Sequence, residues 1–177
     1  QSLDSLRQLT KDGKVPPEAS VTAIESRYAG KRTGALAKLL RARIRFENND
    51  FAGAASLLDS DVFEKQTKVP DYALWLRGRT LQQAGNHAEA KAVFQNLASE
   101  YSGSLRADEA RVLWAQSAIQ SGEASKVADY LADLVAARNG EALLTTAKAY
   151  EAAGNQANAI AFYRRTYFYG AGTDAAK

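Results

Sequence analysis

Side chains able to do chemistry are scarce. The chain has no Cys and a single His, His87. This excludes a thiol nucleophile and a disulfide, and no zinc or iron site of familiar spacing can be assembled. His87 falls between two helical runs and reads as a solvated turn residue. Sugar hydrolysis needs two carboxyl groups flanking the scissile bond, and three pairs lie close in sequence: Asp59 and Asp61, Asp108 and Glu109, and Asp129 and Asp133. Asp108 and Glu109 are explained by a helix N-terminus, whose dipole favours anions. Asp129 and Asp133 share a helix face on the solvent side, opposite Leu131 and Leu134. No glycine-rich phosphate loop, GxSxG or HExxH occurs. The expectation is a chain with no catalytic site, no cofactor and no metal.

The elements that would carry a binding site are easier to read. Of 177 residues 46% are hydrophobic and 24% charged, the balance of a soluble globular chain. Ala is abundant while Val, Ile and Thr are sparse, which favours helix. No run of 18 apolar residues exists, so no segment spans a membrane. Met is absent and the first residue is Gln1, which points to a processed form or an excised segment. The net charge of +3 is uneven. Residues 1–45 hold ten Lys or Arg against four acids, and the remainder holds 13 against 16. That basic stretch could face an anionic polymer or lipid, or be a solvated helix face. It lacks the aromatic interleaving of an RNA-binding surface, so no nucleic-acid partner is expected.

Four segments repeat, beginning at Asn49, Gly85, Gly122 and Gly154. The first residue of each suits the left-handed backbone that ends a helix. The Asn, Asp or Glu that follows favours the next helix start. Seven positions before each lies a small residue (Ala42, Gly78, Ala115, Ala147), and five after it Ala54, Ala90, Val127 and Ala159. Nine positions after it lies a large one: Leu58, Phe94, Leu131 or Tyr163. Small residues let two helices cross and the large one fills the groove beside them. This resembles the tetratricopeptide pattern, with two departures: Val127 in a small position, and Arg45 where an aromatic is usual.

The pattern predicts helices over 2–12, 17–29, 33–48, 52–59, 70–84, 87–101, 105–121, 124–137, 139–153 and 156–169, with a connection over 60–69 and no strand. The expected fold is all-α, a right-handed superhelix of stacked antiparallel helical hairpins, a TPR-like α-solenoid. Residues 1–32 form an N-terminal capping segment, and hairpins follow over 33–69, 70–104, 105–138 and 139–172. Gly170–Thr173 read as a linker and Asp174 as the start of a further helix, so that the protein continues beyond Lys177. Such a fold binds through its inner helices. The register puts Arg43, Tyr72, Trp75, Arg79, Gln83, Gln116, Gln120 and Lys148 on the concave face, together with Glu109, Val112 and Glu141. Cations, amides and aromatics in this mixture can clamp a carboxylate, hydrogen-bond a glycan or pack on a protein.

Asp71-Tyr72-Ala73 opening a helix, the Tyr101-x-x-Ser104 junction running into Asp108-Glu109-Ala110, and the run Ala161–Tyr169 resemble the helical superhelix that precedes the catalytic domain of soluble lytic murein transglycosylases. The resemblance covers residues 33–177. It implies a periplasmic setting and a peptidoglycan glycan or protein partner. That family's catalytic Glu stands in a Glu-Ser motif followed by a Met-containing stretch. Glu25-Ser26 occurs here, but Arg27-Tyr28-Ala29-Gly30 follows and Met is absent, so the resemblance implies the non-catalytic platform of such an enzyme. The alternative is a stand-alone TPR adaptor for protein–protein interaction in a bacterial envelope complex.

Overall fold

Asn49, Gly85, Gly122 and Gly154 take φ of 60°, 78°, 78° and 76°. All four repeat-opening residues are therefore left-handed, as helix ends of this kind require. The chain then turns back on the helix it has left. Asp50 N donates to Arg45 O at 2.9 Å, Glu123 N to Ala118 O at 2.8 Å, and Asn155 N to Tyr150 O at 2.8 Å. The next helix is capped at once: Asp50 Oδ1 accepts from Gly53 N at 2.9 Å and Asn155 Oδ1 from Asn158 N at 3.2 Å. A left-handed residue thus opens all four hairpins, and a side-chain cap follows it in two of them, since Asn86 and Glu123 make no cap bond.

The computed structural model describes residues 2–11, 13 and 15–169. The linker and helix start expected over 170–177 lie outside them. Among the described residues every regular element is helical, and no helix is long and apolar enough to cross a membrane. The chain divides into two compact units, Gln1–Gly85 and Asn86–Lys177. The division falls at the turn of the hairpin expected over 70–104.

The first unit holds α1 (Ser2–Thr10), α2 (Glu18–Arg27), α3 (Arg32–Glu47), α4 (Phe51–Leu58), α5 (Val62–Gln66) and α6 (Pro70–Gln83). Val21, Ala37 and Ile44 form one small core with Leu6, Leu9 and Ile24 packed on it. Leu39, Ala42, Leu58, Phe63, Ala73 and Leu76 form the other. Gly34 sits where α3 starts against the end of α2, and a Cβ there would run into the Tyr28 carbonyl oxygen. The expected connection over 60–69 folds instead as α5. Its Phe63 is buried in the second core, and the Thr67 hydroxyl closes the turn by donating to Phe63 O at 2.5 Å.

The second unit holds α7 (His87–Glu100), α8 (Ala107–Gln120), a 3-10 turn over Ala124–Lys126, α9 (Val127–Tyr130), α10 (Ala132–Ala136), α11 (Gly140–Ala152) and α12 (Gln156–Tyr169). Its core gathers Ala115, Ala118, Val127, Leu134 and Leu143 from four of these helices, and Leu131 from the junction of α9 and α10. The single helix expected over 124–137 is broken. Arg111 of α8 donates to Tyr130 O at 2.6 Å and grips Asp133 with both terminal nitrogens, at 2.6 and 2.5 Å. A side chain that takes a carbonyl out of the helical ladder breaks it there, and Leu131 leaves the helical region at φ −100°, ψ 8°. Arg138 (φ 61°) ends α10 in the left-handed region, and the Asn139 side chain caps α11 by accepting from Ala142 N at 3.0 Å.

Candidate binding surface

Four of the residues assigned to the inner face form one row in the first unit. Arg43, near the end of α3, donates from Nη1 to the Tyr72 hydroxyl at 2.9 Å and from Nε to Glu47 Oε1 at 2.9 Å. These two partners hold its pKa above the usual value for Arg, Glu47 first. Tyr72 stacks on Trp75 one turn along α6, with centroids 5.8 Å apart and planes at 20°. The Arg79 guanidinium lies over the Trp75 ring at 5.6 Å, and its Nε is buried without a hydrogen bond. Tyr72 and Trp75 are half-buried and flank the second core, so the row is anchored rather than waving in solvent. The i, i+3 and i+4 spacing on one helix face puts 72, 75 and 79 in line. Gln83 is exposed at the end of the same helix.

In the second unit Gln116 and Gln120 of α8 and Lys148 of α11 are exposed. So are Glu109 and Glu141. Val112, read from the register as inward-facing, is buried in the core instead, although Glu109 and Gln116 of the same helix are exposed. Tyr163 donates from its hydroxyl to Glu151 Oε2 at 2.5 Å, and that bond pushes its pKa up to about 12.

Glu25, the one glutamate before a serine, accepts from Arg41 Nη1 at 2.5 Å. Its carboxylate is thus engaged in a structural ion pair between α2 and α3. Asp133, from the expected solvent-side pair, is pulled down to about 2 by Arg111. Among the described residues no group of three His, Asp or Glu side chains could hold a metal ion.

The sequence reading missed a groove beside this row. It has a volume of about 430 Å³ and runs between α1 and α3, with Leu3, Leu6 and Arg7 on one wall. Leu36, Leu39, Leu40 and Arg32 form the other, and Arg43 and Tyr72 close one end. The signal was present in the spacing of Leu3, Leu6, Arg7 and Thr10, one helical face of α1.

With this geometry the comparisons with known proteins agree. A family model for the tetratricopeptide repeat matches residues 72–104 and 141–167. The chain is also similar to a crystal structure of nearly identical TPR-like repeats from a Podosopora anserina protein assigned as a kinesin light chain. That likeness has a TM-score of 0.74 at 15% identity, over 98% of this chain and 95% of that one. No curated protein matches. At this identity the likeness carries the fold alone: the chain is all-α, of the TPR-like solenoid class. Neither similarity points to a transglycosylase or to peptidoglycan.

Proposed function

We propose that the chain is a non-catalytic adaptor that takes a partner polypeptide along the inner helices of its hairpins. The row Arg43–Tyr72–Trp75–Arg79 carries this reading. It sets guanidinium donors against flat aromatic surface, the residue types that dominate the energetic centres of protein interfaces. Glu47, Tyr72 and Trp75 hold the two guanidinium groups in place, which lowers the ordering cost of binding. Gln83, exposed at the end of the same helix, adds an amide to this row, and within the second unit the exposed Gln116, Gln120 and Lys148 offer adaptable polar contacts of their own.

The adaptor reading needs only residues 1–177. The platform of a lytic transglycosylase rests on the resemblance over Asp71–Ala110 and Phe162–Tyr169, and a bacterial envelope setting rests on the same residues. Affinity capture with the intact chain, compared with Arg79→Glu and Lys148→Glu variants of unchanged melting temperature, tests the reading. The partner is expected to be lost from both; equal capture by all three overturns recognition through the inner helices. Incubation with purified peptidoglycan is expected to release no soluble fragments, and turnover would overturn the non-catalytic part.

A further inference from the structure

The groove between α1 and α3 is more specific than the row beside it. Its floor and walls are aliphatic: Leu3, Leu6, Leu36, Leu39 and Leu40. Its rim is cationic, with Arg7 on α1 and Arg32 and Arg43 on α3. Arg32 and Arg43 are eleven residues apart on one helix, which sets them about 16 Å apart along its axis. Cations therefore stand at both ends of an apolar trough. Arg32 is exposed and makes no hydrogen bond or ion pair among the described residues. Among the described residues the Arg7 guanidinium meets only Asp4, at 3.6 Å on the open surface.

The surroundings strengthen the positive potential. Glu18 and Glu25 are occupied by Arg41 and Arg45. The cationic excess of residues 1–45 is thus carried by the other eight Lys and Arg, against Asp4 and Asp12 and, from beyond that stretch, the Glu47 carboxylate on Arg43. Three of the eight, Arg7, Arg32 and Arg43, line the groove.

We infer that this groove binds a short acidic peptide segment, with a large apolar side chain in the leucine trough and carboxylates on either side of it paired to Arg32 and to Arg43 or Arg7. The inference rests on the adaptor reading and names the partner's chemistry at one place on it. A span of about 16 Å fits roughly five extended residues at ~3.3 Å each. A lipid surface fits less well. Membrane-seeking side chains protrude to reach the acyl region, whereas Leu39 is buried and Leu36 and Leu40 are half-buried, recessed behind the arginines.

The test is fluorescence anisotropy on the intact chain with a labelled peptide holding two leucines between pairs of glutamates. One control copy has lysines for the glutamates and another has serines for the leucines. Saturable binding is expected for the first peptide only, weakened about tenfold by Arg32→Glu, since a lost charge-assisted hydrogen bond is worth about that factor. Added salt should weaken it further. Arg32 supports nothing in the fold, so its variant should melt as the parent does, and Leu36→Ser gives a second variant at the trough. Equal binding of the lysine copy, or unchanged affinity in Arg32→Glu, overturns the inference. So does binding to vesicles of phosphatidylserine and phosphatidylcholine without binding to the peptide. A partner captured through Lys148 with no peptide bound in the groove would remove this inference and leave the adaptor reading standing.

Discussion

The hairpin made by α3 and α4 and the one made by α11 and α12 share a backbone and differ in what locks it. Both turn through a left-handed residue, Asn49 or Gly154, and both cap the second helix with the next side chain, Asp50 or Asn155. Four residues before the turn the chemistry parts. Tyr150 packs on Phe162, with ring centroids 5.3 Å apart. Its counterpart Arg45 donates to Glu18 at 2.7 Å and lies 3.7 Å from Asp50, the cap itself. Gly53 makes room for this: a Cβ there would strike both the Arg45 guanidinium and the Asp50 carboxylate. The hairpin of α8 with α9 and α10 belongs with the charged kind, through Arg111 and Asp133. The family model matches 72–104 and 141–167 and passes over both hairpins with charged ties. Turn chemistry alone sets the hairpin, and the filler of the joint is free to change.

The largest test of that division is at an apolar joint. Phe94 is fully buried, and Phe94→Ala should cost about 3–5 kcal/mol in denaturant unfolding. A loss no larger than that of a surface substitution would break the comparison. Next comes Gly34→Ala. The added methyl meets backbone and not a side chain that can swing away, so a loss of about 1–3 kcal/mol is expected. Arg111→Met removes the grip on Tyr130 O. Circular dichroism should then show helix gained over 127–136 together with a lower melting temperature, and a loss of stability without gained helix would refute the cause given for the break.

Titration separates the two kinds of joint at smaller amplitude. Arg45, then Arg41, holds the Glu18 carboxyl below its ordinary 4.5, and Arg111 holds Asp133 at about 2. Depressed carboxyl pKa values give stability that is complete above the unfolded values and lost as pH falls through the folded ones. Acid below about 4.5 should therefore loosen the charged hairpins. Tyr163 works in the other direction. Its bond to Glu151 raises it to about 12, so its contribution is complete below the ordinary value of 10.0 and is lost as pH climbs from there toward 12. Carboxyl and phenol NMR titrations would read both windows, and ordinary values at these residues would erase the distinction. The smallest effect is at Thr146, fully buried with its hydroxyl unpartnered. Thr146→Val should raise stability by about 1 kcal/mol, measured by thermal unfolding.

The turns and crossings were legible in the sequence because their chemistry is local. Left-handed conformers, caps and small residues at fixed spacing need no partner from elsewhere. Ala42, Ala54, Ala90, Ala115, Ala147 and Ala159 are all buried as the register requires. What escaped was set by residues far apart in the chain. Helix α5 forms because Phe63 finds a core built from α3 and α6. The break at Leu131 is imposed by Arg111, twenty positions earlier. Arg45 reads as a defect until Glu18 and Gly53 are placed beside it. The row at Tyr72, Trp75 and Arg79 was legible from one helix, while the groove needed two.

Arg138 sits in a backbone conformation where glycine would be at ease, yet its guanidinium lies 4.6 Å from the centre of the Tyr169 ring. A strained junction between two helices is thereby fastened to the final turn of α12, thirty-one residues on. In terms of hydrogen exchange, this contact predicts that the turn after α10 and the last turn of α12 open as one unit. Fraying at Tyr169 would release the strain at Arg138, and amides at both places should gain or lose protection together.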